Sequence, residues 1–204
     1  AKTLVKRLGM RSDWKVAWRR VGGRDIWDDL AIRHEEFQEI PDGGDRFYAD
    51  PFPVEARGRL DVFVEDFRYS MGRAILSVVP FGPSGPSGPA EPILEEAGHL
   101  SYPLVFERDG QMWMIPETGY DRRVSLYRAT RYPFGWERVT DLVTGTVASD
   151  ATLLEHDGLH YLFLVDRDGE KGSFSDTLRI YWAPRFDGPY QPIDMDPVLI
   201  DAAA

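Results

Sequence analysis

Short apolar runs closed by Asp-Gly or Arg-Gly pairs recur through the middle of the chain. Tyr102-Pro103-Leu104-Val105-Phe106 leads into Arg108-Asp109-Gly110, and Met112-Trp113-Met114-Ile115 follows. An apolar run, a pair that tolerates positive φ, and a second apolar run predict a β-hairpin. The same order appears upstream, in Ala49-Asp50-Pro51-Phe52-Pro53, Ala56-Arg57-Gly58 and Val62-Phe63-Val64-Glu65. It appears again downstream, in Ser149-Asp150-Ala151-Thr152-Leu153, His156-Asp157-Gly158 and Leu162-Phe163-Leu164-Val165. The three segments superpose without a gap over their best-matched part. Asp50, Tyr102 and Asp150 share one position, 52 and then 48 residues apart, and Gly58, Gly110 and Gly158 share another at the same spacings. A period of about fifty residues built from short strands predicts a β-propeller.

Further strands follow each hairpin: Arg73–Val79 in the first segment, Val124–Ala129 in the second, Leu178–Ala183 in the third. The predicted fold is all-β, a propeller of the five-bladed type with a blade incomplete or missing in this chain. It is read as one domain over residues 1–204, with repeats at about 47–97, 98–145 and 146–192. Trp14–Arg20 is an alternating strand outside the repeats, and Pro197-Val198-Leu199-Ile200 reads as the start of another blade. The chain is therefore expected to be a piece of a longer protein that carries further domains. Gly82–Pro89 is read as an inter-strand loop or blade connection. Lys2–Met10 and Asp28–Phe37 are the best helix candidates. Trp113, Trp136 and Trp182 are read as blade-packing residues.

Charge narrows the partners. With 24 basic against 34 acidic residues, the net charge is −10. That balance argues against nucleic acid or an anionic membrane, both of which need a basic footprint. The chain has no Cys, which removes disulfides, zinc ribbons and thiol catalysis. It has no apolar run long enough for a transmembrane segment and no visible signal peptide. It reads as soluble, cytoplasmic or exported. No Gly-rich phosphate loop or nucleophile elbow is present. The four His are scattered and read as surface residues, so neither a metal nor a cofactor is expected.

What remains is carboxylate chemistry. A hairpin's first strand starts at the edge where its second strand ends. Asp50 begins one hairpin that Glu65 and Asp66 end; Tyr102 begins the next, which Glu117 ends; Asp150 begins the third. Innermost propeller strands run along the axis, so these strand starts are expected to ring one mouth. Clustered carboxylates at an axial pocket suit glycosidic bond cleavage, with one as base or nucleophile and one as acid. Crowding would raise one pKa, as the acid role requires. Asp50, Glu117 and Asp150 are the candidate catalytic residues. Arg46, Glu65, Asp66, His99 and Tyr102 are the candidate substrate-binding residues, and the expected partner is a carbohydrate or glycoconjugate.

Ala49-Asp50-Pro51-Phe52-Pro53, His99–Phe106 and Met114-Ile115-Pro116-Glu117-Thr118 resemble the N-terminal domain of glucosamine inositolphosphorylceramide transferase-like proteins. So do Leu126-Tyr127-Arg128-Ala129 and Tyr132-Pro133-Phe134 with Trp136. That domain is similar to the five-bladed propeller of glycoside hydrolase family 43 and the arabinanase, levansucrase and invertase group. The resemblance covers about residues 45–200. It implies that Asp50, before Pro51, matches the hydrolases' base or nucleophile. Asp150 matches the Asp that orients substrate and tunes pKa, with Ala151 in place of the usual Pro. Glu117 ends a strand, where the hydrolases' acid Glu begins one.

Three readings follow. One is a carbohydrate-active propeller with glycosidase-like processing. Another is a non-catalytic glycan-binding or accessory domain attached to a transferase. The third is a protein-interaction propeller.

Overall fold

The structure is a computed structural model that describes residues 13–23, 25–33, 36–118, 121–166 and 177–200. Strand β1 (Ala17–Trp18) pairs antiparallel with β2 (Gln38–Glu39) as a separate two-stranded sheet. Between them lies one helical turn, α1 (Ile26–Asp29). Asp25 caps it in a capping box with Asp28, and Leu30 ends it at φ 49°. The helix predicted over Asp28–Phe37 is thus shorter and earlier, because Asp25 supplies the cap. The helix expected at Lys2–Met10 lies outside the described residues.

Three antiparallel sheets follow, each a meander. Blade 1 contains β3 (Arg46–Ala56), β4 (Arg59–Arg68), β5 (Arg73–Gly82), β6 (Gly85–Pro86) and β7 (Glu91–Leu94). Blade 2 contains β8 (Ser101–Arg108), β9 (Gln111–Glu117), β10 (Arg123–Arg131) and β11 (Gly135–Thr144). Blade 3 contains β12 (Ser149–His156), β13 (Leu159–Asp166), β14 (Thr177–Ala183), β15 (Gln191–Pro192) and β16 (Leu199–Ile200). The first strands lie inside: β3 lies against β8, and β8 against β12. This is the all-β propeller arrangement that the hairpin pattern predicts. Gly82–Pro89 is no open loop: Gly85–Pro86 folds back on β5. Leu199–Ile200 does not open a new blade but pairs with Thr177–Leu178 of blade 3.

Alternation decides which side chains meet. Successive residues of a strand point to opposite faces, so each sheet packs on both sides. Met112 and Met114 join Phe63, Leu76 and Val78 in the core between blades 1 and 2. Ile115, one residue on, joins Ala151, Leu162 and Leu164 in the core between blades 2 and 3. Val62 and Val64 face the other way from Phe63, onto Val16, Ile40 and Tyr48. Trp113 and Trp136 pack against these cores as expected. Trp182 is half-buried on the far face of blade 3 and belongs to none of them. Of the histidines read as surface residues, His156 is exposed and His160 is buried beside Phe186.

Candidate functional site

Each inner strand is interrupted at the same point. On β3, Asp50 and Pro51 sit between Ala49, opposite Glu65, and Phe52, opposite Phe63. Two residues thus face one, which is a β-bulge. Tyr102-Pro103 makes the equivalent bulge on β8, and Asp150-Ala151 on β12. The first bulge residue is left-handed in all three, with φ 46° at Asp50, 44° at Tyr102 and 54° at Asp150. None is Gly, so each bulge carries backbone strain of about 1 kcal/mol or more. The Arg57, Asp109 and Asp157 turns repeat their own left-handed geometry at the opposite end of each hairpin.

The first two bulges turn their side chains toward the next blade. Tyr102 N–H of blade 2 donates to Asp50 Oδ2 of blade 1 at 3.1 Å. Tyr102 Oη lies 2.9 Å from Thr152 Oγ1 of blade 3. Asp150 N–H of blade 3 donates to Glu117 Oε2 of blade 2 at 3.3 Å. Thr152 Oγ1 donates to the Asp150 carbonyl at 3.1 Å, so Asp50, Tyr102, Thr152, Asp150 and Glu117 form one hydrogen-bonded line across three blades.

Glu65 and Glu117 occupy equivalent register positions, opposite Ala49 and Ser101. Each points at the blade that follows. Glu65 Oε1 lies 3.3 Å from His99 Nε2. Ala74 N–H donates to His99 Nδ1 at 3.2 Å, so the neutral ring carries its proton on Nε2, toward Glu65. The Glu65 hydrogen bond raises the His99 pKa against burial, and the Glu117 and Asp50 charges act in the same sense.

Burial dominates the Glu117 carboxyl and pushes its pKa up to about 7. The Asp150 N–H and His99 oppose that shift, while the Asp150 and Asp50 charges add to it. Asp150 is raised too, by burial first and then by Asp50. Among the described residues its carboxylate has no hydrogen-bond donor. Asp50 and Glu65 also line a cavity of about 590 Å³ with Trp14, Lys15 and Ala17.

Arg46 and Asp66 are not with this group. Asp66 follows Glu65 on β4, so it points to the opposite face of blade 1. Its Oδ2 accepts from Arg46, from Arg68 and, at 2.8 Å, from Ser77. The sequence places both carboxylates at the hairpin's end, but only the stacking of blades decides which face meets the mouth. Thr152, Lys15 and Trp14 were not among the expected site residues. Thr152 was reachable from the bulge pattern, being two residues beyond Asp150 where Phe52 and Leu104 follow the other bulges. Lys15 and Trp14 come from outside the hairpins and carry no local signal.

Residues 88–203 match the family described as glucosamine inositolphosphorylceramide transferase 1, N-terminal. The chain belongs to this family. The Arabidopsis thaliana glucosamine inositolphosphorylceramide transferase 1 is 30% identical over 105 residues, 52% of this chain. The matched stretch is only 14% of that relative's length. The fold is also that of glycoside hydrolases. The GH43 protein BlXynB of Bacillus licheniformis superposes with a TM-score of 0.53 at 22% identity, covering 76% of this chain and 31% of its own. The catalytic domain of the Coprinopsis cinerea GH62 α-L-arabinofuranosidase reaches 0.59 at 16% identity, covering 76% and 51%. Among the described residues no helix is long and apolar enough to cross a membrane.

Proposed function

We propose that the line Asp50, Tyr102, Glu117 and Asp150 is a sugar-binding site able to process a glycosidic bond. The observation that carries this reading is the Glu117 carboxyl. It is half-buried near Asp50 and Asp150 and holds its proton up to about pH 7. A carboxylic acid that keeps its proton near neutrality can donate it to a leaving glycosidic oxygen. Asp50 is the matching base, at the bulge where the hydrolase resemblance puts that role. Asp150, whose carboxylate has no hydrogen-bond donor among the described residues, can take a sugar hydroxyl and keep Glu117 protonated by its charge. His99 holds Glu65 in place through Nε2–H, and Tyr102 spans the floor to Thr152.

A second reading rests on the relatives. They carry the name of a transferase, and the matched stretch is a small part of their length. On that reading the same residues bind the glycan portion of an acceptor, and the transfer takes place elsewhere in the polypeptide.

A panel of chromogenic glycosides and an immobilised glycan array separate the two. Processing requires turnover that Glu117→Gln lowers by at least about 100-fold with little change in KM. Binding alone requires no turnover and a glycan Kd that Asp150→Ala weakens by about 10-fold. Neither turnover nor glycan binding by the native-length protein would end the sugar reading.

A further inference from the structure

On the reading that the mouth binds sugar, we infer that the cavity on the β1 side of Asp50 holds a second sugar unit stacked on Trp14, so that the site selects a glycan of at least two units over a single sugar. The cavity measures about 590 Å³, a size typical of small-molecule sites. Phe47, Tyr48 and Asp50 line it from β3, and Glu65 from β4. Trp14 and Lys15 line it from the segment that leads into β1.

That segment is fastened to blade 1. Val16 is buried against Tyr48, Val62 and Val64, and its carbonyl accepts the Ile40 N–H at 2.9 Å. Trp18 anchors the far end, edge-on to Phe81 at 5.7 Å and tight against Gly85. Lys15 Nζ reaches Asp42 at 2.5 Å and Asp13 at 3.3 Å. Trp14 lies two residues before Val16, outside this core, and is 65% exposed while it borders the cavity. A Trp held beside a cavity and left so open has an apolar face to offer a ligand. It stands outside residues 88–203, so this wall is a feature of the present chain and not of the matched stretch.

The lining suits a sugar ring better than other small molecules. A sugar presents C–H groups on its faces and hydroxyls at its edges. Aromatic rings pack against the C–H face, and carboxylates accept from the hydroxyls. Phe47 is held in place by a stack on Phe67, with ring centres 4.8 Å apart and planes 5° from parallel. Asp50 and Glu65 would repel an anion, and an apolar molecule would cover them without supplying a hydrogen bond. Lys15 does not offset them, because its ammonium is taken by Asp13 and Asp42. Asp50 also starts the line that runs through Tyr102 to Thr152. One glycan can therefore pass Asp50 with one unit over the line and the next against Trp14.

Titration calorimetry of the native-length protein with xylo-, galacto- and gluco-oligosaccharides of one to four units tests this. Affinity should rise at least about 10-fold from one unit to two. Trp14→Ala should abolish that rise while monosaccharide affinity and melting temperature stay unchanged, because the side chain stands mostly in water. Trp14→Phe should restore most of the rise. The parent's Trp emission should shift to the blue with the two-unit sugar, and that of Trp14→Phe should not. Equal affinity for one unit and two, or a Trp14→Ala protein that keeps the full rise, would overturn the inference and leave the sugar reading of the mouth standing. Failure to bind any of these sugars at any length would overturn both.

Discussion

Glu117 accepts the Asp150 backbone N–H across the boundary between blades 2 and 3, at 3.3 Å. Glu65, at the equivalent position of blade 1, meets His99 instead. The difference lies in the residue three before each bulge, which is His99 ahead of Tyr102 and Val147 ahead of Asp150. One hairpin geometry thus makes a carboxylate–imidazole pair at one boundary and a carboxylate clamped on a bulge at the next.

The Glu117 clamp sets a pH dependence. Its folded pKa lies above the ordinary carboxyl value, so the folded state holds the proton more tightly than the unfolded chain. The stability that the proton contributes is fully present below about pH 4.5 and is lost as pH rises through about 7. His99, also raised, contributes with the same sign at the upper end of that window. Glu117→Gln cannot titrate. Between pH 4.5 and 8 the variant should lose about 2 kcal/mol less stability than the parent, after allowance for solvent. Urea melts of both proteins across that range check it, and parallel curves would remove Glu117 as the titrating group.

Asp66 should act on stability without touching the mouth. It is fully buried, and two guanidiniums and a hydroxyl converge on one of its oxygens. Asp66→Ala removes the buried counter-charge that Arg46 and Arg68 share, leaving Arg46 with Asp45 alone. The expected cost is about 3 kcal/mol, because breaking a buried pair strands its partners. Glycan affinity, measured well below the melting temperature, should stay unchanged. A variant with full stability and lost affinity would return Asp66 to the site.

The hairpins were legible because turn chemistry is local. Asp-Gly and Arg-Gly pairs fix each bend, and apolar runs fix the strands on either side. Asp50, Tyr102 and Asp150 were legible as one position for the same reason. The bulge itself was not, since Pro after Asp50 and Tyr102 but Ala after Asp150 gives no common signal. The mistaken grouping of Asp66 with Glu65 has a similar origin. Period-two alternation separates them, but which face meets the mouth depends on contacts from other blades. The placement of Leu199–Ile200 against β14 is likewise a long-range pairing with no local mark.

Gly85 governs how β1 is seated. It has φ +109°, and a Cβ there would lie 2.3 Å from the Trp18 ring. Gly85→Ala therefore strains the backbone and drives the indole off blade 1. Trp fluorescence should shift to the red, and residues 16–18 should lose exchange protection, while blades 2 and 3 keep theirs. Unchanged protection at residues 16–18 would show that Trp18 is not the anchor.

Asp150 offers the sharpest separation of function from structure. Its backbone is left-handed, at φ 54°, a conformation that glycine adopts freely and aspartate does not. Its carboxylate is raised by burial and by Asp50 and has no hydrogen-bond donor among the described residues. Asp50 differs, because its carboxylate holds the Tyr102 N–H and so helps join two blades. Asp150→Gly relieves the backbone strain and removes a carboxylate repelled by Asp50, while leaving its N–H for Glu117. It should raise stability by about 1 kcal/mol. Asp50→Gly relieves the same strain but loses the inter-blade bond, so the gain is offset by about 1 kcal/mol. If Asp150 is kept for a sugar, the stabilised Asp150→Gly protein should bind or turn over glycans at least about 10-fold less well. Denaturant melts and glycan titrations on both variants measure the two effects independently. A stabilised Asp150→Gly protein with full glycan affinity would leave the strained carboxylate without a functional reason and remove it from the site.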